Sequence, residues 1–229
     1  MNAPLTGVRV ELFGAFSLRD DQGRSVKLPA RSAGLVVAYL ALHPSGAPRA
    51  EVADTLWPDS DPEPARAALR TAIRRARMVL GEDAITGDGR LRLTLPTDVA
   101  EATRLQRARR HAANADEALR AAWAEWNIVR RDLLVDWDDE WIEPLREDAH
   151  HQAYECGGAL ARLLEERDER DKALEVLDGI LVSLPHHAEA LEHAMRLENA
   201  LNGREAALAR VAEARRSLNG NVGMALPDS

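Results

Sequence analysis

Five arginines, Arg66, Arg70, Arg74, Arg75 and Arg77, fall within twelve positions that hold no acid. At 100° per residue, Arg66, Arg70, Arg74 and Arg77 lie within about 80° on one helix face, with Thr71 and Arg75 further round. Guanidinium groups in such a row repel one another. A carboxylate one turn away would relieve them, and none stands between Arg66 and Leu80. An anionic partner is the simplest relief. An α-helix fits the major groove of B-form DNA, where arginine binds phosphates or grips guanine O6 and N7 in a fork. Arg90 and Arg92, two apart in an alternating run, share a strand face and suit sugar and phosphate beside that groove. An arginine-rich face on an isolated helix is ordinarily just solvated, so the surrounding elements decide between the two readings.

Those elements are legible from period and punctuation. Val8–Leu12 and Ala15–Arg19 alternate as strands, Asp20-Asp21-Gln22-Gly23 supplies a turn, and Ser25–Leu28 reads as a third strand ended by Pro29. From Ala30 to Leu42 the period becomes helical, with Leu35, Tyr39, Leu42 and Ala38 on one face, and His43-Pro44-Ser45-Gly46 stops it. A short helix from Arg49 to Leu56 turns Val52, Ala53 and Leu56 inward. Asp59-Ser60-Asp61 offers capping side chains before Pro62 and Pro64, which suit only a first helical turn. A long helix then runs to about Leu80 and ends at Gly81, with Leu69, Ile73, Ala76 and Leu80 as its buried seam. Ala84–Thr86, a Gly87-Asp88-Gly89 turn and Arg90–Leu95 read as a hairpin. The sum is a winged helix-turn-helix over residues 1–96, with the arginine row on its third helix and a basic hairpin beside it.

Charge divides at the same place. Residues 1–95 carry 13 Lys+Arg against 11 Asp+Glu, and residues 96–229 carry 17 against 27, which together give the net −8 of the 229-residue chain. A basic binding module joined to an acidic one shows this asymmetry. In the second part a shift of 34 residues superposes Ala173 on Ala207, Leu174 on Leu208, Leu177 on Val211, Ile180 on Ala214 and Leu184 on Leu218. That is the length of a helical-hairpin repeat, so residues 97–229 are expected to form about three tetratricopeptide-like hairpins. The expected fold class is mainly α. Arrays of this kind dimerise or bind proteins, and an acidic one is not expected to touch DNA.

Several segments resemble the antibiotic-regulatory-protein family of bacterial transcriptional activators. Leu12-Phe13-Gly14-Ala15-Phe16-Ser17-Leu18 is similar to that family's opening strand pair. Arg49-Ala50-Glu51-Val52-Ala53-Asp54-Thr55-Leu56-Trp57, Ala65–Arg70 and Arg74–Gly81 resemble its helix-turn-helix. Asp132–Trp141 resembles the most recognisable segment of its bacterial transcriptional activator domain. The likeness runs from about Val8 to Leu218. It implies a DNA-binding regulator, an activator in kind, with Arg66, Arg70, Arg74 and Arg77 on the recognition helix and Arg90 and Arg92 on the wing; Thr71 and Arg75, further round the same helix, and Arg49 complete the residues expected to meet DNA. The expected partners are double-stranded DNA and, through the acidic helical array, a second copy of the chain as a homodimer, the transcription machinery or a regulatory protein. The family's wing usually carries a glycine-tyrosine pair, where this chain has Gly89-Arg90-Leu91.

Other chemistry finds little footing. Apolar residues make up 45% of the chain and charged ones 30%, and no apolar run nears the roughly 18 residues of a membrane span. Met1–Leu5 lacks the basic and apolar regions of a secretory signal, so a cytoplasmic protein is expected. Cys156, the single cysteine, excludes an internal disulfide and reads as a small buried residue beside Gly157-Gly158. His150-His151 and His186-His187 are adjacent pairs whose side chains diverge on a helix. Asp136, Asp138, Asp139 and Glu140 are expected to cap the following helix, with Trp137 and Trp141 packed against it. Trp123 and Trp126 read as hairpin packing. No nucleophile elbow, phosphate loop or dinucleotide fingerprint occurs, so no enzyme, cofactor or metal is expected. The rival reading is a helical-repeat adaptor or ligand sensor whose winged helix does not bind DNA.

Overall fold

Proline and glycine set several of the element ends in the computed structural model, which describes residues 7–222 and, within its last helix, the side chains up to 212 and of Arg216. Met1–Leu5, where no signal segment is expected, lies outside the described residues, as do the side chains of Ala214 and Leu218. The fold is mainly α: a winged helix-turn-helix with N-terminal antiparallel strands, followed by an array of tetratricopeptide-like helical hairpins. The chain divides into two compact units. The first comprises residues up to Arg104 together with Leu133–Glu143, and the second Leu105–Asp132 with the chain from Pro144 onward.

In the first unit, β1 (Arg9–Glu11) and β2 (Ser17–Arg19) pair antiparallel with Val10 opposite Leu18. The expected third strand, Ser25–Leu28, is only a bridge from Ser25 to Arg19. Asp20 draws the chain into a tight turn there, accepting Gln22 N at 3.0 Å and Arg24 N at 2.8 Å. Helix α1 (Arg31–Leu42) is buried from Ala33 to Ala41. Helix α2 (Arg49–Leu56) turns Val52, Ala53 and Leu56 inward, and α3 (Pro62–Leu80) buries Leu69, Ile73, Ala76 and Leu80 as its periodicity requires. Each large aliphatic side chain so buried contributes about 1.5–3 kcal/mol.

One local expectation needs correction, and one strand has no counterpart in the sequence pattern. Asp59-Ser60-Asp61 makes no side-chain cap on α3. A cap must accept the N–H of the second or third helical residue; Pro64 at the third has none, which leaves Glu63 N as the single candidate, and Asp61 does not accept it. Ala47-Pro48, which carries no strand signal of its own, forms a short strand, β3, on the edge of a sheet ordered β3-β5-β4, where a proline loses no ladder bond. Its partners are β4 (Ile85–Thr86) and β5 (Arg90–Leu93), the two arms of the wing. The wing turn requires glycine at Gly87, where φ is +91° and a Cβ would stand 2.0 Å from the carbonyl oxygen of Arg90.

The first unit extends past residue 96 because its opening strands find hydrogen-bond partners further along the chain. The Asp98 carboxylate accepts Leu12 N at 2.8 Å and Phe13 N at 2.9 Å, both buried. Further on, Leu134 N donates to Leu12 O and Val135 N to Gly14 O. Asp136 accepts the amide of Phe16, and Asp139 pairs with Arg31 at 2.6 Å. Trp137 packs on Phe16 beneath the Arg31 guanidinium, and Trp141 lies beside Tyr39. Asp136 and Asp139 therefore secure the first unit, and the 3₁₀ turn Glu140–Ile142 that they were expected to cap has no side-chain cap.

The remaining helices are α4 (Asp98–Arg110), α5 (Ala115–Val129), α6 (Glu143–Glu165), α7 (Arg170–Ser183), α8 (Ala188–Asn202) and α9 (Arg204–Val222). A reciprocal cap starts α5: Asn114 accepts Glu117 N at 2.9 Å, and the Glu117 carboxylate accepts Ala113 N at 3.1 Å. Trp126 is buried where Gly157 and Gly179 let it approach. Cys156 is buried beside Ala122, and burial pushes its thiol pKa up. Helices α7 and α9 begin 34 residues apart. Ala173 and Ala207 are both buried, but Leu208 is 54% exposed, so the repeat is imperfect on α9, the last described helix. Arg210 joins the final hairpins by bridging Asp178 and Glu198.

Candidate nucleic-acid interface

With the Leu69–Ile73–Ala76–Leu80 seam buried, the opposite side of α3 faces solvent by helix geometry. Arg70, Arg74 and Arg75 are exposed and have no carboxylate or carbonyl partner. Arg92, on the exposed face of β5, has none either. The four cations therefore bear their full charge toward solvent.

The other candidates are engaged to different degrees. Arg66 pairs with Glu63 at 2.8 Å, one turn earlier and just outside the acid-free stretch. Both partners are exposed, so the pair is worth at most about 1 kcal/mol and yields readily to a stronger anion. Thr71 donates its hydroxyl to Ala67 O at 3.0 Å, which commits its proton within the helix. Arg77 turns away from the ridge. Its Nε and Nη2 donate to Ile85 O at 3.1 and 2.6 Å, so it clamps the wing to α3. Arg90 donates to Gly46 O at 2.5 Å and ties the other wing arm to the chain before β3. Arg49 leans toward the wing turn, its amide donating to Gly89 O at 3.1 Å and its guanidinium reaching Asp88 O at 3.4 Å.

The geometry thus separates one basic patch into parts. Arg70, Arg74, Arg75 and Arg92 are free to meet an anion, Arg49 and Arg66 are weakly held at its edge, and Arg77 and Arg90 fix the wing against the helix. Sequence reasoning missed Met78, which is 74% exposed and stands one turn after Arg74 on the same side of α3. Its signal was present in the helical period, which sets Met78 opposite the buried seam. An apolar side chain there can lie against sugar or a thymine methyl.

The weaker constellations have local explanations. His150 faces Asp132 at 3.2 Å and His151 faces Glu155 at 3.7 Å, while His187 accepts the amide of Ala190 and stacks on Tyr154. Among the described residues no three His, Cys, Asp or Glu side chains gather as a metal site, and no helix is long and apolar enough to cross a membrane.

No family model matches the sequence, and no curated protein does. Among solved structures, EmbR of Mycobacterium tuberculosis, determined in complex with a low-affinity phosphopeptide, matches with a TM-score of 0.76 and 17% sequence identity. The match covers 95% of this chain and 61% of the EmbR chain, so the present chain spans about three-fifths of its length. At that identity the likeness is one of fold.

Proposed function

We propose that the protein is a DNA-binding transcriptional regulator of the activator kind, with α3 entering the major groove and the wing lying alongside. One observation carries this reading: Arg70, Arg74 and Arg75 project from the exposed side of α3 with no carboxylate to neutralise them. A solvated face ordinarily interleaves acids with its bases, and this one leaves its charge unanswered. The likeness of several segments to the antibiotic-regulatory-protein family supports the same reading. The fold shared with EmbR is the winged helix-turn-helix and helical array which that likeness implies. Residues 1–96 act as the DNA-binding domain and residues 97–229, acidic overall, supply protein contacts, either to a second copy or to the transcription machinery. This reading puts the protein in the cytoplasm and gives it no catalytic role.

Titration of the full chain against duplex DNA, followed by fluorescence anisotropy at several salt concentrations, tests the proposal. Binding that weakens steeply with salt and is lost in Arg70→Ala/Arg74→Ala supports it. Absence of binding at low salt, with the chain folded, refutes it and favours the adaptor.

A further inference from the structure

The helical unit carries a feature that DNA binding leaves unused. Two open hollows of about 270 Å³ each adjoin α6 and share Tyr154, Gly158 and Arg162. The first is lined by Arg109, Arg110 and Arg162 against a single carboxylate, Glu155, which Arg110 already holds at 2.6 Å. Arg162 is exposed and without a partner. The second hollow is of mixed sign, since Arg162, Arg196 and His193 face Glu189 and Glu192. With Arg109 paired to Glu125 and Arg110 to Glu155, the first hollow keeps one guanidinium that no carboxylate neutralises, Arg162, within a part of the chain that is acidic overall.

Two independent observations suggest that the first hollow is built to receive something. Arg109 is nine-tenths buried; its Nε donates to Glu125 at 2.8 Å, yet its Nη2 has no hydrogen-bond partner. Its Nη2 and the Glu125 Oε1 are both closed to solvent and unpaired; leaving a buried charged donor unmade is costly, so an anion that drew the Arg109 guanidinium to the wall of the hollow would satisfy it. The second observation concerns the adjacent glycines of α6. At Gly157 a Cβ would approach Ile180 to 2.7 Å and Trp126 to 3.0 Å, so packing demands the glycine. At Gly158 a Cβ would meet nothing within 4 Å. Glycine inside a helix is less favourable than alanine, and no neighbour requires one here. What a side chain at that position would occupy is the hollow itself.

We propose that the hollow over Gly158 binds a small anion bearing phosphate or carboxylate groups, held by the guanidinium of Arg162 with Arg109 and Arg110 beside it. Planar guanidinium forks match both groups in a bidentate fashion, which a lone ammonium does not. The site lies wholly within the second unit, and the proposal does not rest on DNA binding. Occupancy would connect Arg109 on α4 with Arg162 on α6, giving a regulator an input by which a solute stabilises its helical unit.

The full chain is titrated with inorganic phosphate and, separately, with citrate, each against sodium chloride at matched ionic strength. Thermal unfolding and calorimetric binding are the readouts, and no DNA is present. At least one of the two anions raises the melting temperature saturably beyond the chloride control, and their relative effect distinguishes phosphate from carboxylate recognition. Arg162→Ala weakens the apparent affinity about tenfold, and Gly158→Leu, whose Cβ meets no neighbour within 4 Å, abolishes the response while circular dichroism shows the helices retained. No response beyond chloride to either anion overturns the proposal. So does a saturable response that survives unchanged in either variant. Neither result bears on DNA binding, because duplex binding by α3 is measured separately.

Discussion

Removing Arg70 and Arg74 together tests how much of the exposed ridge is in use. Six cations can reach phosphate or a groove edge: Arg70, Arg74, Arg75 and Arg92, which have no partner, and Arg49 and Arg66, whose contacts are weak. For B-form DNA each phosphate neutralised contributes about −0.9 to the slope of log K against log salt. Six contacts give a slope near −5, or a loss of roughly 10³-fold between 50 and 200 mM salt. Arg70→Ala/Arg74→Ala lowers the slope by about 2 if both side chains meet phosphates. If they meet base edges, the slope holds and binding to the cognate site weakens by about 1–3 kcal/mol per arginine. Anisotropy titrations on a random and a cognate duplex distinguish the two, with circular dichroism confirming that the variant is folded. A double variant with unchanged affinity and unchanged slope on both duplexes refutes the reasoning, since the ridge would then be merely solvated.

Arg77 and the wing should behave differently. Arg77→Ala removes both donors to Ile85 O and costs about 1–3 kcal/mol, seen as faster amide exchange in β4 and β5. Its effect on DNA affinity arises from a loosened wing, so the salt slope stays within one contact of wild type. Gly87→Ala forces a Cβ against the Arg90 carbonyl at positive φ, destabilises the wing by roughly 1–3 kcal/mol, and abolishes slow exchange at Thr94, whose amide donates to Ala84 O across the hairpin. An unperturbed exchange pattern would contradict the clash. In the second unit, Arg109→Met leaves the buried Glu125 carboxyl without its partner and costs about 3–5 kcal/mol, whereas Arg109→Met/Glu125→Leu recovers most of it. Denaturant midpoints of the two variants should differ accordingly, and equal midpoints would show that the pair is well solvated.

Much of the fold was legible because its signals are local. Period and punctuation located α1, α2 and α3 and the inward side chains of each, since an apolar stripe can be buried on only one side of a helix. The 34-residue shift likewise anticipated the spacing of α7 and α9. What escaped depends on distant partners. Ala47-Pro48 becomes a strand only because β5 lies beside it, and nothing in a proline-containing pair announces that. Ser25–Leu28 alternates like a strand, but the Asp20 turn leaves it a single bridge. The acidic run from Asp136 to Glu140 looked like a helix cap, and its true partners, Phe16 N and Arg31, lie more than a hundred positions earlier. The candidate interface was legible in part for the same reason. Helix period gave the ridge of Arg70, Arg74 and Arg75, whereas the retreat of Arg77 to Ile85 and of Arg90 to Gly46 required coordinates.

The capture of Leu12 and Phe13 by the Asp98 carboxylate, and of Leu12 and Gly14 by Leu134 and Val135, bears on how the protein comes into being. A nascent chain that has emerged only to residue 96 holds every helix of the winged motif yet has no acceptor for two amides that must end up buried. The first strands therefore wait for Asp98, and their last bonds for residues 133–143, which leave the ribosome only after α5 has been made. A fragment cut at residue 96 inherits that debt permanently, whereas a chain extended through Glu143 carries its own acceptors and the segment that closes the N-terminal strands.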